Sequence, residues 1–326
     1  MKRFVVITSI QDKTTSISKL EQKISDPIII IGDKKSPPQF QSGIASFINI
    51  KQQNNLPFKI VRDLPFNHYS RKNIGYLISI FNGAEQIYET DDDNYPTDNW
   101  DWPKFSCDSV IRSSISFFNV YKYFSDTDSW PRGYPLYEVT ASQNFEVVKG
   151  SLKEVGVWQG LVHNAPDVDA IYRLTNNSVI TFSDREPIVL SKGVYCPFNS
   201  QNTFWTKRAF PLLYLPVTVN FRFTDILRSY ITQRLLWDIN MSLGFLSANA
   251  KQERNYHNLL SDFEDEVPGQ LQTKELVEVL YETNTGNNIY DGLLNIYQAL
   301  LKSKIVKANE IHLLDLWCND ISKILM

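Results

Sequence analysis

The run Pro27 to Ile31, PIIII, constrains this chain more than any other feature. It has no polar side, so as a strand it must be covered on both faces. Phe4 to Thr8 (FVVIT) reads as a shorter buried strand. Between the two, Ser16 to Ile24 places Ile17, Leu20 and Ile24 on one face of a helix. Lys59 to Val61 reads as a third short strand. Arg71 to Asn82 reads as a helix with Ile74, Leu77, Ile78 and Phe81 on one side, stopped by Gly83. Ala84 to Tyr88 is a further strand and runs directly into Glu89 to Asp93. This alternation predicts an α/β chain with a largely parallel, doubly wound sheet. Such sheets bind ligands beyond the carboxyl ends of their strands. Thr8, Asp33 and the triplet Asp91-Asp92-Asp93 all fall at ends of that kind.

The stretch from Asn94 to Pro216 is rich in aromatic residues, Pro, Asn and Asp, and reads as long loops that build a binding surface. Phe223 to Trp237 is a helix, and Gly244 closes the segment. Ser261 to Pro268 (SDFEDEVP) reads as an exposed acidic hinge, after which the periodicity is helical to the end. The expected division is a main domain over residues 1–265 and a helical appendage over 266–326.

Hydrophobic residues at 43% and charged residues at 21% suit an ordinary globular protein with a sizeable core. A net charge of -3 excludes bulk nucleic-acid binding, which needs a basic face. Cys107, Cys196 and Cys318 are odd in number and widely spaced, which favours a reducing, cytoplasmic compartment over a disulfide framework. The opening MKRFVVITSIQDK reads as a core strand, not a signal peptide. The longest apolar stretch, Phe210 to Val219, is interrupted by Pro211 and Pro216 and cannot span a bilayer, so any membrane association would be peripheral.

Three like charges directly after a buried strand are costly unless a cation compensates them. A divalent cation acts as a Lewis acid on a leaving diphosphate, and carboxylate oxygens suit Mn2+ or Mg2+. On an extended chain Asp91 and Asp93 project to one side and Asp92 to the other. The competing reading of D-D-D-N is a solvated turn.

The run RKNIGYLISIFNGAEQIYETDDDNYP, Arg71 to Pro96, resembles the plant STELLO glycosyltransferases and, more loosely, the reversibly glycosylated polypeptides or UDP-arabinopyranose mutases. IIIIGDKKSP (28–37), PDVDAIYRLT (166–175), PFNSQNT (197–203) and LPVTVNFRFTDILRSYITQRLLW (215–237) extend the resemblance to the first family over most of residues 1–265. The resemblance implies a GT-A fold, the nucleotide-sugar version of the Rossmann-like sheet, with the helical tail outside it. It implies a metal-dependent, inverting glycosyltransferase taking a UDP- or GDP-linked sugar to a glycan or other hydroxyl acceptor. A nucleotide-sugar mutase and a non-catalytic scaffold of the same fold are the alternatives.

On that pattern Thr8 and Asp33 contact base and ribose, and Lys34 reaches phosphate. Arg71 and Asn73 hold phosphate at a helix start, beside Lys72. Asp91 and Asp92 also face the donor, Asp91 and Asp93 hold the metal, and His257 is the late histidine that joins them. Asp225 stands where the family's acidic residue opens a helix and is the general base for the acceptor hydroxyl. Trp130, Arg132 and Asp169 contact the acceptor. Bland alternatives are a turn for Asp33, a solvated lysine for Lys34, a helix-start pairing of Asp225 with Arg228, and an internal salt bridge for Arg173.

Overall fold

The computed structural model describes residues 1–38, 40, 43–113, 115–176, 178–253 and 258–325. In chain order the elements are β1 (Arg3–Thr8), α1 (Thr15–Lys23), β2 (Ile28–Ile31), β3 (Ser46–Ile48), α2 (Ile50–Gln53), α3 (Lys72–Phe81), β4 (Gln86–Thr90), β5 (Asn94–Pro96) and β6 (Ser106–Ser113). There follow α4 (Tyr121–Phe124), β7 (Phe145–His163), α5 (Ala170–Thr175), β8 (Ile188–Leu190), β9 (Asn202–Thr206), α6 (Thr224–Asp238), β10 (Ser242–Gln252), α7 (Leu259–Glu282), α8 (Ile289–Lys302) and α9 (Ala308–Leu325).

The sheet has ten strands in the order β3-β2-β1-β4-β9-β7-β6-β8-β10-β5. The expected parallel arrangement holds for β3, β2, β1 and β4. Beyond β4 the sheet is mixed, because β9 runs antiparallel to both β4 and β7. The PIIII run is fully buried as expected, with all four isoleucines of β2 covered. Ile29 and Ile31 face one hydrophobic cluster, and Ile28 and Ile30 face another.

The segment expected to be loops carries β5 to β9. Residues 145–154 of β7 pair with β6. Residues 155–163 run between β9 and β10. The buried half of β7 is packed through glycines: a Cβ on Gly156 would lie 2.4 Å from Leu236, and one on Gly160 2.4 Å from Asn202. Gly83 ends α3 with φ +83, the left-handed stop anticipated for it.

Two local expectations fail. Ile60–Arg62 is a 3-10 turn, not a strand, held by the Ile60 N–H donating to Asp320 of α9 at 3.0 Å. Residues 261–268 lie inside α7, not in a hinge. Asn258 caps that helix, and Glu266 is buried, accepting from Arg222 at 2.6 Å and from the Ala170 N–H at 2.7 Å. Helices α7, α8 and α9 bury Leu276, Leu293, Leu313 and Trp317 in the same cluster as β1 and α3. Glu310 of α9 accepts from Tyr214 at 2.5 Å and from the backbone N–H of Val217 and Thr218. The tail therefore holds the loop leading into α6. No helix among the described residues is long and apolar enough to cross a membrane.

Candidate active site

Strand direction brings the chemistry-bearing residues to one edge. β1, β2 and β4 are parallel and end at Thr8, Ile31 and Thr90, so Ser9, Asp33 and Asp91 follow at the same side. β9 is antiparallel and begins there, next to Asn199 to Gln201. β7 and β10 are parallel to each other and end there as well, delivering Asp167 and Gln252. A cleft of about 420 Å³ opens along this edge, within the usual size of small-ligand sites.

At the β1–β2 end the cleft is lined by Thr8, Ser9, Asp33, Lys35 and His68. Asp33 is half-buried and accepts from the backbone N–H of Lys34 at 2.7 Å and of His68 at 3.2 Å. Thr8 and Asp33 are therefore both in the cleft. Lys34 is exposed and lies over Phe66 at 4.2 Å, while Lys35 lines the cleft. His68 caps the turn before α3 by accepting from the Ser70 N–H at 3.1 Å. Burial lowers its pKa, with Asp33 opposing.

All three triplet carboxylates line the cleft. Asp91 accepts from the Lys72 ammonium and from the Tyr69 hydroxyl, both at 2.9 Å. Lys72 is wholly buried and also donates to the Tyr69 hydroxyl at 2.8 Å. Asp92 accepts from Ser9 at 2.5 Å, and burial raises its pKa. Asp93 accepts from Gln252 and Asn94 at 2.9 and 2.8 Å. Burial, then the charge of Asp91, pushes its pKa up to about 7.

Further along, Asp225 sits in the first turn of α6 and is buried. Arg132 clamps it with two bonds, Nη1 to Oδ1 at 3.1 Å and Nη2 to Oδ2 at 2.8 Å. The Ser200 N–H also donates to Oδ2, at 3.3 Å. Arg132 Nε binds Asp167 at 2.9 Å. Burial opposes charge on Asp167, but Arg132 wins and holds its pKa at about 2. Gly133, with φ +80, places this arginine: a Cβ there would lie 2.4 Å from Ile226 of α6. The suggested pairing of Asp225 with Arg228 does not occur. Arg228 binds Glu89 of β4 at 2.7 and 3.1 Å in the interior, where Trp205 donates to the same carboxylate at 2.8 Å.

Several expected contacts lie elsewhere. Asn73 is buried and holds the backbone of Leu215 through bonds of 3.0 and 2.9 Å, so its amide is used in joining α3 to the loop before α6. Arg71 touches the cleft wall but is 1% exposed. Its Nε and Nη1 bind Gln53 at 3.1 Å and the Leu64 carbonyl at 3.2 Å, and its guanidinium lies 4.5 Å from the Phe66 ring. The cation that meets the triplet is its neighbour Lys72. Asp169 is 1% exposed and caps α5, accepting from the Tyr172 N–H at 2.9 Å and from Trp130 at 2.6 Å. Neither it nor Trp130 lines the cleft. Burial pushes the Asp169 pKa up to about 6. Arg132 does line the cleft, tied up with two carboxylates. His257 lies outside the described residues. Sequence spacing did not point to Tyr69 or Gln252, because neither belongs to a local motif; Ser200 lies in the PFNSQNT run, but nothing in that run marks it out.

Among the described residues, no group of three or more His, Cys, Asp or Glu is arranged to hold a metal ion. The donor chemistry still suits a hard divalent cation. Asp91 and Asp93 offer carboxylate oxygens to the cleft, and Asp93 is pushed up by burial and like charge, which a cation would relieve.

Fold and cleft together define an α/β protein with three consecutive aspartates lining a cleft at one edge of its sheet. Residues 222–326 match the family model for STELLO glycosyltransferases, so the helical tail lies inside the resemblance and not outside it as expected. Two Arabidopsis thaliana proteins align over more of the chain. "Probable glycosyltransferase STELLO1" is 28% identical over 73% of this chain and 34% of its own length. "Probable glycosyltransferase STELLO2" is 26% identical over 86% of this chain and 39% of its own. The chain is STELLO-like, and it spans less than two-fifths of either relative. Among solved structures, glucosyl-3-phosphoglycerate synthase of Mycobacterium tuberculosis overlaps at a TM-score of 0.39 and 10% identity, covering 84% of this chain and 80% of that one. Its complex with Mn2+ and UDP-glucose gives 0.40 at 10% identity, covering 84% and 78%.

Proposed function

We propose that the cleft binds a nucleotide sugar, UDP- or GDP-linked, together with Mn2+ or Mg2+ at Asp91 and Asp93, and that the chain transfers the sugar to a hydroxyl acceptor such as a glycan. The observation that carries this reading is the convergence of three consecutive carboxylates into one cleft at the carboxyl edge of the sheet. The likeness to the two probable glycosyltransferases supports the same reading. The cation would supply Lewis-acid stabilisation of the departing diphosphate. The protein's own residues orient and neutralise. Lys72 and Tyr69 fix the Asp91 carboxylate by hydrogen bonds. Thr8 and Asp33 offer polar groups to base and ribose at the β1–β2 end.

In the inverting form of this reading Asp225 takes the acceptor's proton. Its Oδ2 is held by Arg132 and Ser200, so Oδ1, with its longer 3.1 Å bond, is the oxygen available for that step. Arg173 and Arg222 line the same cleft. A lining that runs from Thr8 and Asp33 to Arg173 and Arg222 supports a separate acceptor over a mutase. Three free, buried cysteines accord with a reducing compartment.

Calorimetric titration of UDP and GDP with Mn2+, and again with chelator, tests the reading. Binding that needs the metal, and is lost in Asp93→Asn, is expected. Equal binding with and without metal removes the cation from the site, and no binding of either nucleotide ends the proposal. Asp225→Asn should keep donor affinity while transfer falls about a hundredfold to ten-thousandfold. Near-normal turnover per folded molecule would end the general-base role.

A further inference from the structure

We propose that Arg173, with Arg222 beside it, forms an oxyanion subsite at the far end of the cleft, and that the acceptor carries a phosphate or carboxylate group which binds there. This rests on the nucleotide-sugar reading of the cleft and names the class of its acceptor. Arg173 lines the cleft from α5. Among the described residues only its Nη2 is engaged, donating to the Pro166 carbonyl at 2.6 Å. Its Nε has no partner among the described residues but is shut off from solvent, so Nη1 is the donor left for a ligand.

The other cleft arginines are committed. Arg132 holds Asp167 and Asp225, Arg71 holds Gln53 and the Leu64 carbonyl, and Arg222 holds Glu266. The carboxylate whose charge weighs most on Arg173 is Asp167, which Arg132 already binds. Burial depresses the Arg173 pKa, and the charge of Arg222 depresses it further. Glu266 already answers the charge of Arg222, whereas Arg173 has no ion pair among the described residues, a cost that a bound anion would relieve. A planar fork of N–H groups matches an oxyanion in two-point geometry. Glu266 holds both Arg222 and the first N–H of α5, so helix α7 fixes Arg222 together with the helix that carries Arg173.

The position separates this subsite from the donor's diphosphate. The triplet follows β4, whereas Asp167 and α5 follow β7, and β9 lies between those strands. Two strand spacings put the two ends about 10 Å apart. Asp225 reaches the Arg173 side through Arg132 and Asp167. An acceptor anchored by its anion at Arg173 would place a hydroxyl near Asp225.

Inorganic phosphate titrated into the protein loaded with UDP and Mn2+ tests this. Phosphate should bind alongside UDP. Arg173→Gln should weaken phosphate roughly ten- to hundredfold, the value of one or two charge-assisted hydrogen bonds, and leave UDP affinity unchanged. Arg173→Lys keeps the charge but not the fork, and should lose phosphate affinity several-fold with UDP again unchanged. If Arg173→Gln does not fold, judged by its melting curve, the lysine variant decides. Competition between phosphate and UDP, with both weakened by either substitution, would assign the arginine to the donor and overturn the proposal. Phosphate affinity unchanged in both variants would make Arg173 structural and overturn it equally. Arg173-dependent phosphate binding without UDP binding would uphold the subsite and sink the nucleotide reading.

Discussion

Glu89→Gln tests how the two halves of the site are joined. Glu89 precedes Asp91 by two residues on β4, and Arg228 follows Asp225 by three on α6, so their pair ties the strand end carrying the triplet to the helix carrying Asp225. Both side chains are at most 1% exposed. Arg228 gives Glu89 bonds of 2.7 and 3.1 Å, with further donors from Trp205 and Tyr76. Glutamine preserves the shape and removes the charge, leaving a buried guanidinium that cannot deprotonate. Breaking a buried pair from one side costs about 3–5 kcal/mol. Unfolding entropy of about 2.1 cal/mol/K per residue gives roughly 0.7 kcal/mol/K for 326 residues. The melting temperature should therefore fall by about 4–7 °C in a cooperative transition, read by calorimetry or circular dichroism. The double variant Glu89→Leu/Arg228→Met should recover most of that loss, because a packed apolar pair avoids the desolvation of both charges. A fall of less than about 1 °C in Glu89→Gln, under 1 kcal/mol on the same scale, would refute the reasoning. So would a double variant no better than the single.

Three further outcomes follow from the site. Asp169 has its pKa raised from 3.8 to about 6, so the folded protein holds a proton there that the unfolded chain releases. Its contribution is favourable at low pH and is lost as pH rises through 6, by up to about 3 kcal/mol; Asp169→Asn keeps a capping oxygen and should raise the melting temperature at pH 7.5 but not at pH 4. Asp167 has the opposite sign: its pKa is depressed from 3.8 to about 2, so its contribution of about 2 kcal/mol is present above pH 4 and lost as pH falls through 2, and Asp167→Asn should remove that acid limb from a plot of melting temperature against pH. Gly133→Ala meets both a left-handed backbone and Ile226 at 2.4 Å; it should cost about 1–3 kcal/mol and lower turnover by displacing Arg132, seen as a lower melting temperature together with a fall in transfer rate.

Much of the β1–β4 half was legible in the sequence, because it depends on neighbours along the chain. An all-apolar strand needs two covered faces whatever surrounds it. The 3.6-residue spacing of Ile74, Leu77 and Ile78, with Gly83 behind them, delimits α3 to within a residue or two. The same periodicities placed Thr8, Asp33 and the triplet at one edge, where the cleft lies. Three features were decided only by tertiary structure. β7 changes partners midway, and its pattern changes from exposed to buried with them, so no single period marks it as a strand. The acidic run from Ser261 reads as solvated until Arg222 and the Ala170 N–H meet Glu266 in the fold. The partners that set the site's charges are far apart in sequence: Lys72 with Asp91, Arg132 with Asp225, Glu89 with Arg228. Periodicity reports which face of an element is buried. It does not report which distant group will share that burial, and in a low-dielectric interior that group decides whether a charge is free to bind a ligand or is already neutralised.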